Sequence, residues 1–79
     1  MAKEDLLKRI EFHRGVLGGK ATIRGMRLSV EQILSSLAAG VSEEELLEDY
    51  DGLTKEDLQA ALLYAAEVVS EERVYSVAV

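Results

Sequence analysis

SVEQILSSLAAGVSEEELLEDYDGLTKEDLQAALLYAAE, residues 29–67, carries three helix starts in a row. Ser29-Val-Glu-Gln32, Ser42-Glu-Glu-Glu45 and Thr54-Lys-Glu-Asp57 each have the form of a capping box. In such a box a hydroxyl accepts a backbone N–H that has no helical partner, and the side chain three residues on reaches back to the cap. The third box is the weakest, since Asp is shorter than Glu. The pattern predicts helices over about 30–39, 43–49 and 55–69.

The apolar spacing agrees. Val30, Ile33, Leu34, Leu37 and Ala38 fall on one face of the first helix, and Gly40 stops it by taking a left-handed cap conformation cheaply. Leu46, Leu47 and Tyr50 turn the second helix inward, and Asp51-Gly52 marks a turn. Leu58, Ala61, Leu62, Ala65 and Val69 form the expected core stripe of the third. That helix has apolar surface to spare: AALLYAA, residues 60–66, is unbroken, and Leu63, Tyr64 and Val68 lie off the stripe. A helix apolar on several sides is buried on several sides. The surplus therefore predicts a partner helix, most simply from a homodimer.

Outside this segment the chain reads as extended. Residues 20–23 (KATI) and 26–29 (MRLS) flank Arg24-Gly25 and suggest two short strands or a hairpin, to which residues 10–12 (IEF) add a possible third. After the helices, Tyr75, Val77 and Val79 alternate with Val74, Ser76 and Ala78, which suits a strand, or a tail that orders on a partner. The expected architecture is thus mainly α, a three-helix core of helix-turn-helix type preceded by short β-strands. The 79 residues suffice for one domain, with its core over about 10–70 and a tail over 71–79. So small a core with no cysteine to staple it favours association with a second chain. No apolar run approaches a membrane span and the N-terminus is not a signal peptide, so a cytoplasmic, non-membrane protein is expected.

The net charge of −6 is unevenly spread. Residues 1–27 hold seven Lys/Arg against three acids, and residues 28–79 hold two against twelve. The asymmetry fits an acidic partner for the basic third, or mutual attraction between the two parts of the fold. Catalysis finds no support: His13 is the one histidine, no cysteine is present, and nothing pairs with His13 as nucleophile or orienting acid. No cofactor or metal is expected. Gly18-Gly19-Lys20 is not a Walker loop, because Arg14 stands where the first glycine belongs and Ala21 where Ser or Thr belongs.

Nucleic acid is the stronger candidate. In a helix-turn-helix the third helix would enter the groove. Of its leading residues Lys55 and Gln59 suit phosphates or base edges, whereas Glu56 and Asp57 would meet phosphate with like charge. Lys20, Arg24 and Arg27 on the extended segment are better phosphate ligands, and binding through them would depend steeply on salt.

Three motifs carry a family resemblance. Gly18, Gly19, Lys20, Ile23, Gly25 and Arg27 match G-G-K-x-x-I-x-G-x-R. Gly40, Val41, Ser42, Glu44, Glu45, Leu47, Asp49 and Tyr50 match G-[VM]-[ST]-x-E-E-[IL]-L-x-D-Y. Leu53 to Ala65 match L-T-x-E-D-[IL]-x-A-A-L-x-Y-A. Over roughly residues 10–70 the chain resembles the DUF433 proteins, small prokaryotic proteins that include VapB45-like antitoxins. It departs from them at Ala21 and Ser29, where the family often has proline. The resemblance implies a homeodomain-like helical domain. It also implies a non-catalytic antitoxin paired with a PIN-like ribonuclease toxin, often binding its own operator DNA. On that reading Leu63, Tyr64 and Val68 build the subunit contact, Tyr75, Val77 and Val79 meet the toxin, and Arg24, Arg27 or Arg73 could insert a cation into its acidic, metal-binding site. The alternatives are a stand-alone DNA-binding regulator and a structural interaction module.

Overall fold

The computed structural model describes residues 2–15 and 17–70. Its order is α1 (Lys3–Leu7), β1 (Ile10–Phe12), a short 3-10 turn at Leu17–Gly19, β2 (Ala21–Ile23), α2 (Val30–Ala38), α3 (Glu43–Asp49) and α4 (Lys55–Ser70). The described part is mainly helical, with one short antiparallel hairpin of two strands.

All three capping boxes close. Ser29 Oγ accepts the Gln32 N–H at 3.0 Å and Gln32 Oε1 accepts the Ser29 N–H at 3.1 Å. Ser42 and Glu45 repeat this at 3.1 and 3.0 Å. The short Asp57 side chain also reaches, its Oδ2 accepting the Thr54 N–H at 3.0 Å while Thr54 Oγ1 accepts the Asp57 N–H at 3.2 Å. At the other end of α2, Gly40 has φ +96°. The N–H of Gly40 donates to the Leu37 carbonyl and that of Val41 to the Ser36 carbonyl, each at 3.0 Å. This is the Schellman arrangement, which uses carbonyls the helix itself leaves unpaired.

The strand pairing differs from the expectation. β2 pairs chiefly with β1, in the register Ile10↔Ile23, Glu11↔Thr22 and Phe12↔Ala21. Residues 26–29 add only a bridge between Thr22 and Ser29 and a bond from the Ile23 N–H to the Leu28 carbonyl. Ser29 must cap α2, so the chain leaves the sheet there. The intervening turn is closed by the Met26 N–H on the Ile23 carbonyl, with Gly25 at φ +77° in its third position, as a type II turn requires.

Ile23, Leu28, Val30, Ile33, Leu46, Leu53, Leu58 and Ala61 form the buried core, at the junction of β2 with α2, α3 and α4. The core face of α4 is rotated from the expected stripe. Asp57, Leu58, Ala60 and Ala61 are buried and Tyr64 packs against the core, whereas Leu62 is 43% exposed and Val69 61%. The cause is α1, whose helical character no sequence signal announced. It packs along α4, with Lys3 Nζ 3.1 Å from Glu67 Oε2. Ala60, Leu63 and Glu67 share that side of α4 by helical spacing. β1 adds Phe12, whose ring lies 5.8 Å from that of Tyr64. Part of the apolar surplus of the longest helix is therefore covered from within the chain. In α2, Ala38 is exposed rather than part of the core face.

Candidate functional site

Three surface features carry residues singled out by the sequence. The first is the turn after β2. Arg24 and Arg27 are both exposed there, and neither forms an ion pair among the described residues. Arg27 borders a small cavity of about 220 Å³ with Glu11, His13, Gly25 and Met26. His13 Nε2 lies 2.8 Å from Glu11 Oε1, so the histidine has a carboxylate neighbour, though no nucleophile lines this cavity.

The second feature is the N-terminal part of α4. Lys55, Glu56 and Gln59 are exposed. Asp57 is not: it is 6% exposed, and Arg9 Nη1 donates to its Oδ1 at 3.1 Å. Asp57 thus faces the core side and presents no carboxylate to a ligand at the helix start. Lys55 and Gln59 continue through Leu62 and Ala66 to Val69 at spacings of three and four, all exposed. The outer side of α4 is polar at its beginning and apolar at its end.

The third is a groove between α2 and α4 of about 430 Å³. Val30 and Leu34 line one wall and Tyr64, Ala65, Val68 and Val69 the other, with Ala21 between them. Lys20 and Glu31 stand at its margin, their side chains joined at 2.7 Å. The Lys20 ammonium, by this hydrogen bond and by its charge, holds the Glu31 carboxyl below the ordinary glutamate range. The same pair borders a second cleft of about 440 Å³ whose other lining is polar: Ser29, Gln32, Ser35, Ser36 and Tyr50. Lys20, placed among free cations by the sequence, is therefore an ion-pair partner that separates a polar cleft from an apolar groove.

The predicted contact residues divide. Leu63 and Tyr64 are half-buried within the chain, while Val68 remains 46% exposed at the groove. Tyr75, Val77, Val79 and Arg73 lie outside the described residues. Leu62 and Val69, assigned to the core by periodicity, join Val68 as exposed apolar side chains. Only knowledge of what covers the opposite flank of α4 could have singled them out. Among the described residues no group of three His, Asp or Glu side chains could hold a metal ion, and no helix is long and apolar enough to cross a membrane.

Residues 10–65 match the family model described as "Protein of unknown function (DUF433)". The chain is 40% identical over 50 residues to the "Uncharacterized protein y4eO" of Sinorhizobium fredii, an alignment that spans 63% of this chain and 23% of that protein. The chain thus corresponds to less than a quarter of that relative's length. It is also similar to the crystal structure of a DUF433 member protein from Anabaena variabilis, with 37% identity and a TM-score of 0.76 over 86% of this chain and 67% of that one.

Proposed function

The chain belongs to the DUF433 family, and from that premise we propose that it is a non-catalytic, antitoxin-type protein that binds another polypeptide through α4. One observation carries the reading. Leu62, Val68 and Val69 are 43, 46 and 61% exposed along the last half of the helix, beside the apolar groove. Covering three half-exposed side chains of this size contributes about 3 kcal/mol, roughly a hundredfold in affinity. A homodimer and a PIN-like ribonuclease toxin are the two partners proposed. Within the toxin complex Arg24 or Arg27, exposed and free of acidic partners among the described residues, supplies a cation to an acidic nuclease site.

The test is co-purification of the tagged full chain from its host, with the partner identified by mass and its ribonuclease activity measured. Capture of a nuclease that is inhibited, with capture lost in Leu62→Asp, is the expected outcome. The reading fails if no nuclease is recovered, or if Leu62→Asp captures it unchanged. Inhibition that survives Arg24→Glu and Arg27→Glu would exclude the arginines alone.

A second reading, a homeodomain-like DNA-binding regulator, draws on Arg24, Arg27, Lys55 and Gln59 as exposed candidates for phosphate and base contacts. Burial of Asp57 favours it by removing one like charge, while exposed Glu56 and the acids of α3 oppose it. No gel shift of the upstream DNA at low salt would remove it.

A further inference from the structure

The groove between α2 and α4 opens where α4 ends. Val68 and Val69 line it, and Ser70 is the last residue of the helix. The next residues are EERVYSVAV, 71–79, in which Tyr75, Val77 and Val79 recur at every second position. An extended segment turns alternate side chains to one face. If reversing direction after Ser70 takes about three residues, the remaining six span about 20 Å. The α4 wall from Val69 back to Tyr64 measures only about 8 Å at the helical rise. The segment therefore has the reach, the apolar row and the point of departure to lie in the groove beside it.

We propose that residues 74–79 occupy the groove of their own chain, with the row of Tyr75, Val77 and Val79 set against Leu34 and Tyr64. Tethering makes this an intramolecular event with an effective concentration in the millimolar range, which even a weak contact can exploit. The segment then acts as a built-in competitor: a partner seeking the groove must displace it, whereas one that uses only the outer side of α4 at Leu62 need not. The inference concerns the free chain and holds whichever partner, if any, the protein takes.

Methyl-labelled full-length chain, observed by NMR at a concentration where light scattering gives a monomer, tests this. Nuclear Overhauser contacts from the Tyr75 ring to the Leu34 methyls are expected. In a Tyr75→Ser, Val77→Ser, Val79→Ser variant the Val30 and Leu34 methyl signals shift, while those of Leu46 in the core stay in place. Independently, Ala65→Asp in the groove wall should speed chymotryptic cleavage after Tyr75 severalfold. Groove methyls that ignore the tail substitutions overturn the proposal. So do contacts found only between differently labelled chains, which would instead indicate exchange between two copies.

Discussion

Arg9 and Asp57, 48 positions apart, are joined through Arg9 Nη1 and Asp57 Oδ1 at 3.1 Å, and the other oxygen of the same carboxylate caps α4 through Thr54. One buried side chain thus fixes the start of the longest helix and ties the segment before β1 to it. Asp57 is 6% exposed, while the Arg9 side chain is 24% exposed.

Removing the carboxylate loses both contacts. Asp57→Ala is expected to destabilise the fold by about 2–4 kcal/mol, and Arg9→Met by about 2. For a chain of this size each kcal/mol lowers the melting temperature by about 4–8 °C. Urea denaturation of the two variants and their double mutant measures the coupling. Additive losses would show that the ion pair contributes nothing beyond the cap.

Acid should weaken the protein through two surface glutamates. Glu31 is held below the ordinary glutamate range by the Lys20 hydrogen bond and charge, and Glu45 by the Ser42 backbone and hydroxyl hydrogen bonds. A carboxyl whose folded-state pKa is depressed adds stability above its unfolded pKa and loses it as pH falls through the folded one. Melting temperatures measured from neutral pH down through the glutamate range should therefore fall less steeply in Glu31→Gln and Glu45→Gln. High salt should reduce the Glu31 effect more, since an exposed ion pair is screened.

Two glycines separate backbone conformation from packing. A β-carbon at Gly25 or Gly15 would meet nothing within 4 Å, but Gly25 has φ +77° and Gly15 is not in the left-handed region. Gly25→Ala should cost about 1 kcal/mol, whereas Gly15→Ala should stabilise by about 0.5 by restricting the unfolded chain. Thermal melts of the pair decide it; equal losses would contradict the conformational argument.

Along α4 the core and the outer side should respond by very different amounts. Leu58 is 1% exposed, so Leu58→Ala should cost about 2–5 kcal/mol by leaving a cavity. Leu62→Ala should cost less than about 1 in the free chain. If Leu62→Ala unfolds the isolated monomer as Leu58→Ala does, the outer side is structural and not a contact surface.

The helices α2, α3 and α4 were legible because their signals are local: a hydroxyl and a carboxyl or amide three residues apart, and Gly40 at a helix end. The core positions of α2 and α3 followed from spacing, as Ile33 and Leu46 illustrate. α1 escaped because Ala2 offers no side-chain cap and none of its residues is buried; five residues hold a helix there by leaning on α4. α1 on one side of α4 and Phe12 of β1 beside Tyr64 are also why its covered face departs from the stripe, with Leu62 and Val69 left outside. Pairing of β1 with β2 and of Lys20 with Glu31 depends on the path of the loop between them, which no periodicity encodes. Of the candidate surface, Arg24, Arg27, Lys55 and Gln59, singled out by residue type, are exposed, whereas the groove that Tyr64 and Val68 share with Leu34 has no local signal in the sequence.

The link from Arg9 to Asp57 has a consequence for synthesis. A ribosome delivers Arg9 48 residues before the carboxylate it pairs with. α2 and α3, closed by neighbours in sequence, and β1, which pairs with β2, can gather as they emerge, while α1 and Arg9 wait for α4. The pairing of Arg9 with Asp57 and the seating of α1 therefore wait until α4 is made, and any factor that holds residues 3–9 in that interval competes with that step.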